Sequence, residues 1–587
     1  MNQPSHRIST WKALLFVVCP ISCLQSRVAH SEQSGLTRPP RTCCPDTENE
    51  PSGLWTAILR CALMGPKPAE SGHVMDTDPR PAAQAQPAQL QENAIGFLDA
   101  LVIGLAATSP AYSLAAVIGP IVVLVGVAAP GVLLASFVPM LLIASAFYYL
   151  NRVDQDCGTT FSWVTRAMGP WFGWIGGWAI TMTGVLVIGA LADVAVRFGL
   201  LTVGLDGLAE SKTAVMIGAV LLVLLMTWLC VLGTELSARV QNVLILAQVL
   251  SLLIFAVVAI VAVFNNDATA SQLNPSLSWL NPFSAGGAAL TGGLLLGVFA
   301  YWGWESAVNL TEETEDSATA PGKAAVLSTV VLVVTYLSVA FAIVAYFGTG
   351  ILSNNADQEE FIFGLLATDV LGGFDWIVVL AVTTSAIAST QTTILPASRT
   401  ALSMARRQAV PALFGRIHPR HRTPDVSTWW VAGIAIAWYV VVNLLSENAL
   451  FDSLTALSLL IAFYYALTGI ACAIYYRRHL LTSVRHLLLI GVGPVIGAVL
   501  LAWLLVESII DMADPANSYS GQAWLGVGPP LVIGVGIFVV GLVLMLFWRL
   551  RGTAFWNERP SVADPDLVDP PPRDRSHGHR PRLGGAH

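Results

Sequence analysis

The stretch FAYWGWESAVNLTEETEDSATAP, residues 299–321, decides the predicted fold. An apolar segment meets a glycine set among aromatic residues, then Glu305, and then an acidic loop that Pro321 closes. A helix inside a bilayer rarely breaks, because an unpaired backbone group in hydrocarbon costs several kcal/mol. Breaks are tolerated where they are buried in protein or line a cavity, and membrane proteins build binding sites at them. The stretch therefore predicts a broken membrane helix with a site at the break.

The composition indicates a polytopic, all-α membrane protein. Of the 587 residues, 55% are hydrophobic and 11% are charged, whereas soluble domains carry about 25% charged residues. Apolar runs long enough to cross about 30 Å of hydrocarbon recur along the chain. They predict twelve membrane-spanning helices, at 97–121, 128–150, 171–197, 213–233, 241–264, 286–310, 324–348, 374–402, 428–446, 453–476, 486–508 and 525–549.

The distribution of positive charge predicts the orientation of these spans. Loops on one side hold fourteen Lys and Arg residues, and loops on the other side hold two, Arg197 and Lys212. The side rich in Lys and Arg is normally cytoplasmic. The sequence therefore predicts a multi-pass protein of the cytoplasmic membrane with both termini inside, a lipid bilayer as its environment and no nucleic-acid partner. The fourteen are Arg152, Arg166, Arg239, Lys323, Arg406, Arg407, Arg416, Arg420, Arg422, Arg477, Arg478, Arg485, Arg549 and Arg551.

The two ends of the chain differ from the predicted membrane domain, residues 93–551. Residues 1–92 are rich in Pro, Ser, Arg and Cys, and their one apolar piece is too short to span a bilayer. We expect this extension to be disordered, or not translated if the protein starts at Met75. Residues 552–587 are rich in proline and charge, and we expect a disordered cytoplasmic tail.

Catalysis and metal binding are not expected. The cysteines form no CxxC pair and no zinc-like cluster with histidine. No histidine lies deep in a predicted span, which argues against a histidine-based proton relay or metal site in the membrane. We predict no cofactor and no catalytic residue, so the chain is not expected to be an enzyme.

A second interrupted helix gives the fold its predicted symmetry. GLAATSPAYS, residues 104–113, has Pro110 in mid-span, and proline removes a backbone donor and unwinds a helix. The break at 297–306 comes five spans later. Two broken helices at corresponding positions of two five-span halves predict a 5+5 inverted repeat with helices 1 and 6 broken.

The first break offers groups for an anionic ligand such as a carboxylate. Where the helix unwinds, N–H groups and the positive end of the following half-helix attract negative charge. The alternative is that these small residues only allow close helix packing, but their coincidence with Pro110 and with the second break favours a site. The predicted binding residues are Ala107, Thr108, Ser109, Pro110, Ala111, Tyr112 and Ser113.

Aromatic residues surround the second break. Their faces are suited to clamping an apolar or cationic group or to gating access. Tryptophans also collect at membrane interfaces, but Trp302 and Trp304 lie well inside their span, which weakens that alternative. The predicted binding residues here are Phe299, Tyr301, Trp302, Gly303 and Trp304.

Glu305 is the most informative single residue. An ionisable group at membrane depth is costly, and it is a functional hypothesis by default. We expect Glu305 to recognise an amine or to carry a proton. The alternative is a carboxylate that stabilises the first turn of the second half-helix through its dipole.

Hydroxyl groups in the eighth span are candidates for binding a coupling ion. Together with unwound carbonyls of the first span, they offer oxygen ligands for Na⁺. Helix packing and backbone hydrogen bonding explain such residues equally well. The candidate coupling-ion residues are Glu305, Ser389, Thr390 and Thr393, together with Gln248.

The chain resembles the amino acid–polyamine–organocation permeases over most of residues 94–480. The resemblance rests on residues 92–113 (ENAIGFLDALVIGLAATSPAYS), 158–179 (GTTFSWVTRAMGPWFGWIGGWA), 299–324 (FAYWGWESAVNLTEETEDSATAPGKA) and 397–419 (ASRTALSMARRQAVPALFGRIHP). It implies a leucine-transporter-like fold, alternating access, and amino acids or related amines as substrates.

Two departures from this family bear on substrate binding and coupling. Residues 109–112 read Ser-Pro-Ala-Tyr where the family usually has a Gly-Ser-Gly type motif, and Gln248 stands where many proton-coupled members have a lysine. We expect a secondary active transporter of amino acids or amines, with H⁺ or Na⁺ as candidate coupling ions. The alternatives are an exchanger without ion coupling and a transporter-fold ligand sensor.

Overall fold

The structure, a computed structural model, describes residues 89–350, 362–445 and 448–563. The predicted extension lies outside these residues up to position 88, and so does the predicted tail from position 564. The described residues form α-helices joined by loops and 3₁₀ turns, and they contain no β-strand. The helices are α1 Phe97–Thr108, α2 Pro110–Val125, α3 Ala129–Val153, α4 Thr160–Met168, α5 Pro170–Thr202, α6 Asp206–Ala209, α7 Lys212–Leu232, α8 Thr234–Asn265, α9 Gly287–Ala300, α10 Ser306–Asn309, α11 Ala320–Phe347, α12 Ile362–Leu371, α13 Trp376–Arg406, α14 Asp425–Leu445, α15 Ala449–Tyr475, α16 Val484–Ala513 and α17 Pro529–Leu550.

Ten helical segments of the described part are long and apolar enough to cross a membrane. One of them, Phe97–Val153, contains α1, α2 and α3. The span predicted at 286–310 corresponds to α9, which has only 14 residues, followed by a break and the short α10. The prediction of an all-helical polytopic membrane protein is therefore confirmed. The count of twelve spans and the 5+5 repeat stay predictions.

The helices pack around an apolar core to which both breaks belong. Helix α5 packs along α13, α3 packs along α11, and α15 packs along α16. The broken helix α1 contacts α8, α11 and α13, so it is enclosed by longer helices. This enclosure satisfies the condition under which a membrane helix tolerates a break.

The first part of the predicted tail lies against the helices. Residues 552–563, which we call the C-terminal strap, include a 3₁₀ turn at Ala554–Asn557. Phe555 and Trp556 of the strap are buried beside Phe161 and Trp174. The composition of residues 552–587 predicts disorder from position 552, but these two aromatic side chains give the strap an apolar anchor.

Candidate functional site

The first break lies where the sequence predicts it. Helix α1 ends at Thr108, Ser109 adopts a left-handed conformation (φ 51°, ψ 60°), and α2 begins at Pro110. A proline at the first position of a helix costs nothing, because its missing N–H group would have no helical partner there. The Ser109–Pro110 pair therefore ends one helix and starts the next.

Hydroxyl groups of the first break are engaged in hydrogen bonds. Thr108 Oγ1 donates to Leu105 O at 2.7 Å, and Ser113 Oγ donates to Thr108 O at 2.6 Å. Ser109 Oγ lies 3.0 Å from Ser385 Oγ of α13.

A second contact also joins this break to α13. Ser389 Oγ donates to Ala107 O at 3.1 Å. This hydrogen bond links α13 to the end of α1. Links of this kind between helices are one of the two alternatives for the hydroxyl groups of the eighth predicted span, the other being ion binding.

The second break lies directly against the first. Helix α9 ends at Ala300, residues 301–305 form turns, and α10 starts at Ser306. Gly303 has φ +119°, and a Cβ atom at this position would lie 2.6 Å from Ala107 O. Only glycine permits both this backbone angle and this approach. Gly303 therefore lets the two breaks meet.

Glu305 is buried at this junction, with 3% of its surface exposed. The hydroxyl of Tyr464 donates to its Oε1, and that of Tyr465 donates to its Oε2. Trp302 Nε1 donates to the Tyr464 hydroxyl at 2.5 Å. Among the described residues, no Lys, Arg or His side chain forms an ion pair with Glu305. The carboxylate is held by neutral donors.

The aromatic residues of the second break have different surroundings. Trp304 is fully buried and stacks on Tyr465 with ring centroids 5.3 Å apart. Tyr301 is fully buried and lies 5.1 Å from the Tyr336 ring. Trp302 is partly buried and borders a small cavity with Glu305. Trp302 is therefore the one of these three that reaches the cavity, while Phe299 packs against the core.

The cavity lies where the two breaks meet α5, α13 and α15. Its volume is about 10 Å³, which is roughly what one water molecule needs. An amino acid does not fit into it in this conformation. A larger polar cavity of about 630 Å³ lies elsewhere, bounded by residues that include Gln89, which precedes α1, and Arg406 at the end of α13. The small cavity is lined by Ala107, Ile180, Gly184, Trp302, Gly303, Glu305, Ser306, Thr393, Pro396, Ala397 and Tyr464.

The candidate coupling-ion residues lie in different places. Thr393 borders the small cavity beside Glu305, and its buried hydroxyl has no hydrogen-bond partner in the described structure. Thr390 Oγ1 donates to Ala386 O of its own helix at 2.8 Å. Gln248 is completely buried, and within the described part of the chain neither end of its amide is hydrogen-bonded. The structure thus brings Thr393 and Glu305 together at the small cavity, while the Thr390 hydroxyl is hydrogen-bonded within α13.

A second buried carboxylate follows the break. Glu313 is 1% exposed and forms an ion pair with the fully buried Arg399 of α13, with a nitrogen–oxygen distance of 3.0 Å. Thr234 donates to Glu313 and accepts a hydrogen bond from Arg399 Nη2 at 3.1 Å. In the sequence, Glu313 stands in an acidic loop, and Arg399 does not stand out. A cation inside a predicted span was the available signal.

One group of side chains has the spacing of a metal site. Ligand atoms of Asp156, Cys157 and Glu312 lie within 4.8 Å of one another. Arg406 Nη1 donates to both oxygens of Glu312, at 2.9 and 2.8 Å, and Arg407 lies 3.9 Å from Asp156. Because guanidinium groups already compensate these carboxylates, the arrangement is an ion-pair network.

A family model described as "Amino acid permease" matches residues 95–538. The chain belongs to the amino acid permease family. This match includes both breaks, the small cavity and the Glu313–Arg399 pair. It confirms the resemblance to amino acid–polyamine–organocation permeases that the sequence motifs indicated.

Named relatives of the permease are transporters. It is 24% identical over 414 residues to the human Asc-type amino acid transporter 1, covering 69% of this chain and 71% of the relative. It is 27% identical over 473 residues to an uncharacterized transporter of Mycobacterium tuberculosis, covering 78% of this chain and 93% of the relative. It is 24% identical over 366 residues to the methylthioribose transporter of Bacillus subtilis, covering 59% and 74% respectively.

Proposed function

We propose that this permease is a secondary transporter of amino acids or related amines in the cytoplasmic membrane. It would work by alternating access in a twelve-span, 5+5 inverted-repeat fold with both termini in the cytoplasm. The observation that carries the proposal is the junction of two helix breaks around a buried carboxylate that has no cationic partner within the described part of the chain. Transporters place substrate sites at such junctions of discontinuous helices.

The first break is the proposed site for the substrate carboxylate. In the first turn of α2, the Tyr112 N–H group donates to Ser385 Oγ at 3.4 Å and the Ser113 N–H group donates to Ser109 O at 2.8 Å. The turn also presents the Ala111 N–H group and the positive end of the helix dipole. These are the groups that hold anions at helix N-termini. Gly303 keeps this turn in direct contact with the second break, so a substrate bound there lies within reach of Glu305.

Glu305 is the proposed partner of the substrate amine or of a proton. An ammonium group would give the buried carboxylate the positive charge that the tyrosine hydroxyls do not supply. Binding a proton would neutralise it instead. Binding of an ammonium group or of a proton at Glu305 removes its uncompensated charge. Either event would therefore link occupancy of the site to the conformation of the break.

Transport requires the small cavity to open. Its volume of about 10 Å³ excludes an amino acid, so we assign this conformation to an occluded, substrate-free state. Trp302 and Tyr464 border the cavity and are hydrogen-bonded to each other. Their separation would enlarge the site, with Trp302 then available to shape selectivity for the substrate side chain.

Coupling is proposed to use H⁺ at Glu305 or Na⁺ near Ser389 and Thr393. The neutral Gln248 supports a second candidate, an exchanger without ion coupling, because no lysine is present there to exchange a proton. The two candidates differ in what drives net uptake.

Uptake into proteoliposomes tests the proposal. Labelled amino acids, amines and methylthioribose would each be offered without a gradient, with a proton gradient, with a sodium gradient, and with substrate preloaded inside. Saturable uptake that follows one gradient supports the coupled transporter, and uptake that needs preloaded substrate supports the exchanger. A folded preparation that transports none of the amino acids or amines would overturn the proposed substrate class.

A further inference from the structure

The C-terminal strap is fastened to the helices by an apolar anchor. Phe555 and Trp556 are 1% and 6% exposed. Phe555 stacks on Phe161 of α4 with ring centroids 5.6 Å apart, and the Trp556 ring lies 5.2 Å from Trp171 at the start of α5. The two aromatic residues therefore hold the strap against α4 and α5.

Backbone hydrogen bonds continue the attachment beyond this anchor. The Ser561 N–H group donates to Arg166 O of α4 at 2.7 Å, and that of Ala563 donates to Tyr475 O of α15 at 3.0 Å. His479 Nε2 lies 3.1 Å from Ala563 O, so the imidazole donates this bond.

The strap is also joined to the segment that follows α13. Thr553 Oγ1 donates to Gln408 O at 2.9 Å, and Glu558 lies 3.5 Å from Arg407. These contacts tie the strap to the ends of α5, α13 and α15. The same three helices contribute Gly184, Thr393 and Tyr464 to the small cavity.

Helix α4 and the loop before it lie between the strap and the second break. Asn309 of α10 donates through Nδ2 to Cys157 O at 3.2 Å and to Thr159 Oγ1 at 3.1 Å. Thr160 Oγ1 lies 2.7 Å from Thr468 Oγ1 of α15. We call residues 154–168 the floor, because they contact Asn309 at the C-terminal end of α10.

We propose that the strap is a latch that holds the floor in place and so sets how readily the site opens toward the cytoplasm. The strap contacts the floor at Phe161 and Arg166, and the floor contacts α10 through Cys157 and Thr159. Separation of α10 from the floor would open this side of the site. The role in transport rests on the proposed function, whereas the mechanical role of the strap does not.

Two truncated chains test the latch. A chain ending at Arg551 lacks the strap, and a chain ending at Ala563 keeps it while lacking residues 564–587. The readout is alkylation of Cys157 by a maleimide, followed by mass spectrometry of the peptide. Cys157 is fully buried in the floor, and burial raises the pKa of its thiol well above the ordinary value. Both properties make it unreactive while the floor is closed.

The latch predicts that Cys157 is alkylated at least about tenfold faster in the chain ending at Arg551, because local opening controls access to a buried group. The chain ending at Ala563 should react like the full chain. Cys230 and Cys472, which are buried among the long helices, should stay unreactive in all three. Faster reaction of all three cysteines would mean general unfolding and would count against a local latch.

Single substitutions decide the matter if the shorter chain does not fold. Trp556→Ala removes half of the aromatic anchor and should also accelerate Cys157 alkylation, while Glu558→Gln changes a partly exposed ion pair and should have little effect. Unchanged Cys157 alkylation in Trp556→Ala overturns the latch. Cysteine alkylation is independent of uptake, so absence of transport by every chain would overturn the proposed function and leave the latch standing.

Discussion

Glu305 and Glu313 are two buried carboxylates on the same short stretch of chain, and they are held in opposite ways. Glu313 is paired with the guanidinium of Arg399, while Glu305 accepts hydrogen bonds from the neutral hydroxyls of Tyr464 and Tyr465. Both are at least 97% buried. Burial is therefore the same in the two cases, and the charge of the partner is different.

In the proposed function, this difference separates a structural carboxylate, Glu313, from a functional one, Glu305. Arginine stays protonated in proteins, so a fixed positive charge always lies beside Glu313. Among the described residues, Glu305 has no such partner, and we propose that a substrate amine or a proton compensates its charge. The group that neutralises a buried carboxylate, and not its burial alone, therefore distinguishes Glu305 from Glu313.

The largest expected effect is on folding, from Glu313→Gln. This change leaves Arg399 buried without its counter-charge, which typically costs about 3–5 kcal/mol. We expect a large fall in melting temperature or loss of folded protein, measured by thermal unfolding in detergent. The double variant Glu313→Gln/Arg399→Gln should recover part of the loss. A Glu313→Gln protein that melts like the wild type would contradict the structural role.

The next effect concerns the donors to Glu305. Tyr464→Phe and Tyr465→Phe each remove one hydrogen bond to a carboxylate, worth about 1.5–3 kcal/mol when the acid is charged. Tyr336→Phe is the matched control, since this buried hydroxyl donates to the neutral Ala300 O at 2.8 Å. Melting temperatures should fall further for Tyr464→Phe and Tyr465→Phe than for the control. Equal falls in melting temperature for all three variants would contradict a charged Glu305.

A smaller effect is expected next to the structural pair. Glu312 and Arg406 are 23% and 35% exposed, and ion pairs in contact with water contribute up to about 1 kcal/mol. Glu312→Gln should therefore lower the melting temperature much less than Glu313→Gln does. If Glu312→Gln and Glu313→Gln lower the melting temperature equally, burial of the Glu313–Arg399 pair is not the reason that it stabilises the fold.

The smallest effect is a pH dependence at the floor. Burial raises the pKa of Asp154 from 3.8 to about 6, Asp156 adds to this rise, and Arg166 opposes it. Because the folded state holds this proton more tightly, the group's contribution to stability is full below about pH 4 and is lost as the pH rises through about 6. Between about pH 5 and pH 7, the melting temperature should fall more in the wild type than in Asp154→Asn. Parallel pH profiles would show that Asp154 does not titrate in this range.

Both breaks, and the position of Glu305 at the second one, could be predicted from the sequence because their causes are local. The function of Glu305 stays a prediction. Pro110 and Gly303 dictate backbone geometry at their own positions, and a lone carboxylate among apolar residues is visible without a fold. The partners of these residues could not be predicted. Tyr464 and Tyr465 lie in a helix about 160 residues further along the chain, where they read as ordinary core aromatics.

The strap and the eighth-span hydroxyls show the same limit. Composition predicts disorder from residue 552, yet the docking of Phe555 depends on Phe161, nearly 400 residues earlier. Ser389, Thr390 and Thr393 are equivalent in sequence, but one bonds to the first break, one to its own helix, and one borders the cavity. Tertiary contacts, which a single sequence does not display, assign these roles.

The most direct test of the central claim is initial uptake by Glu305→Gln, normalised to folded protein, in proteoliposomes with a transported substrate. Glutamine keeps the size of the side chain and removes its charge. A charge-assisted contact is worth about 1.5–3 kcal/mol, so we predict a loss of roughly 10- to 100-fold in the uptake efficiency of the folded variant. Unchanged uptake by the folded variant would contradict the assignment of Glu305 as the functional carboxylate.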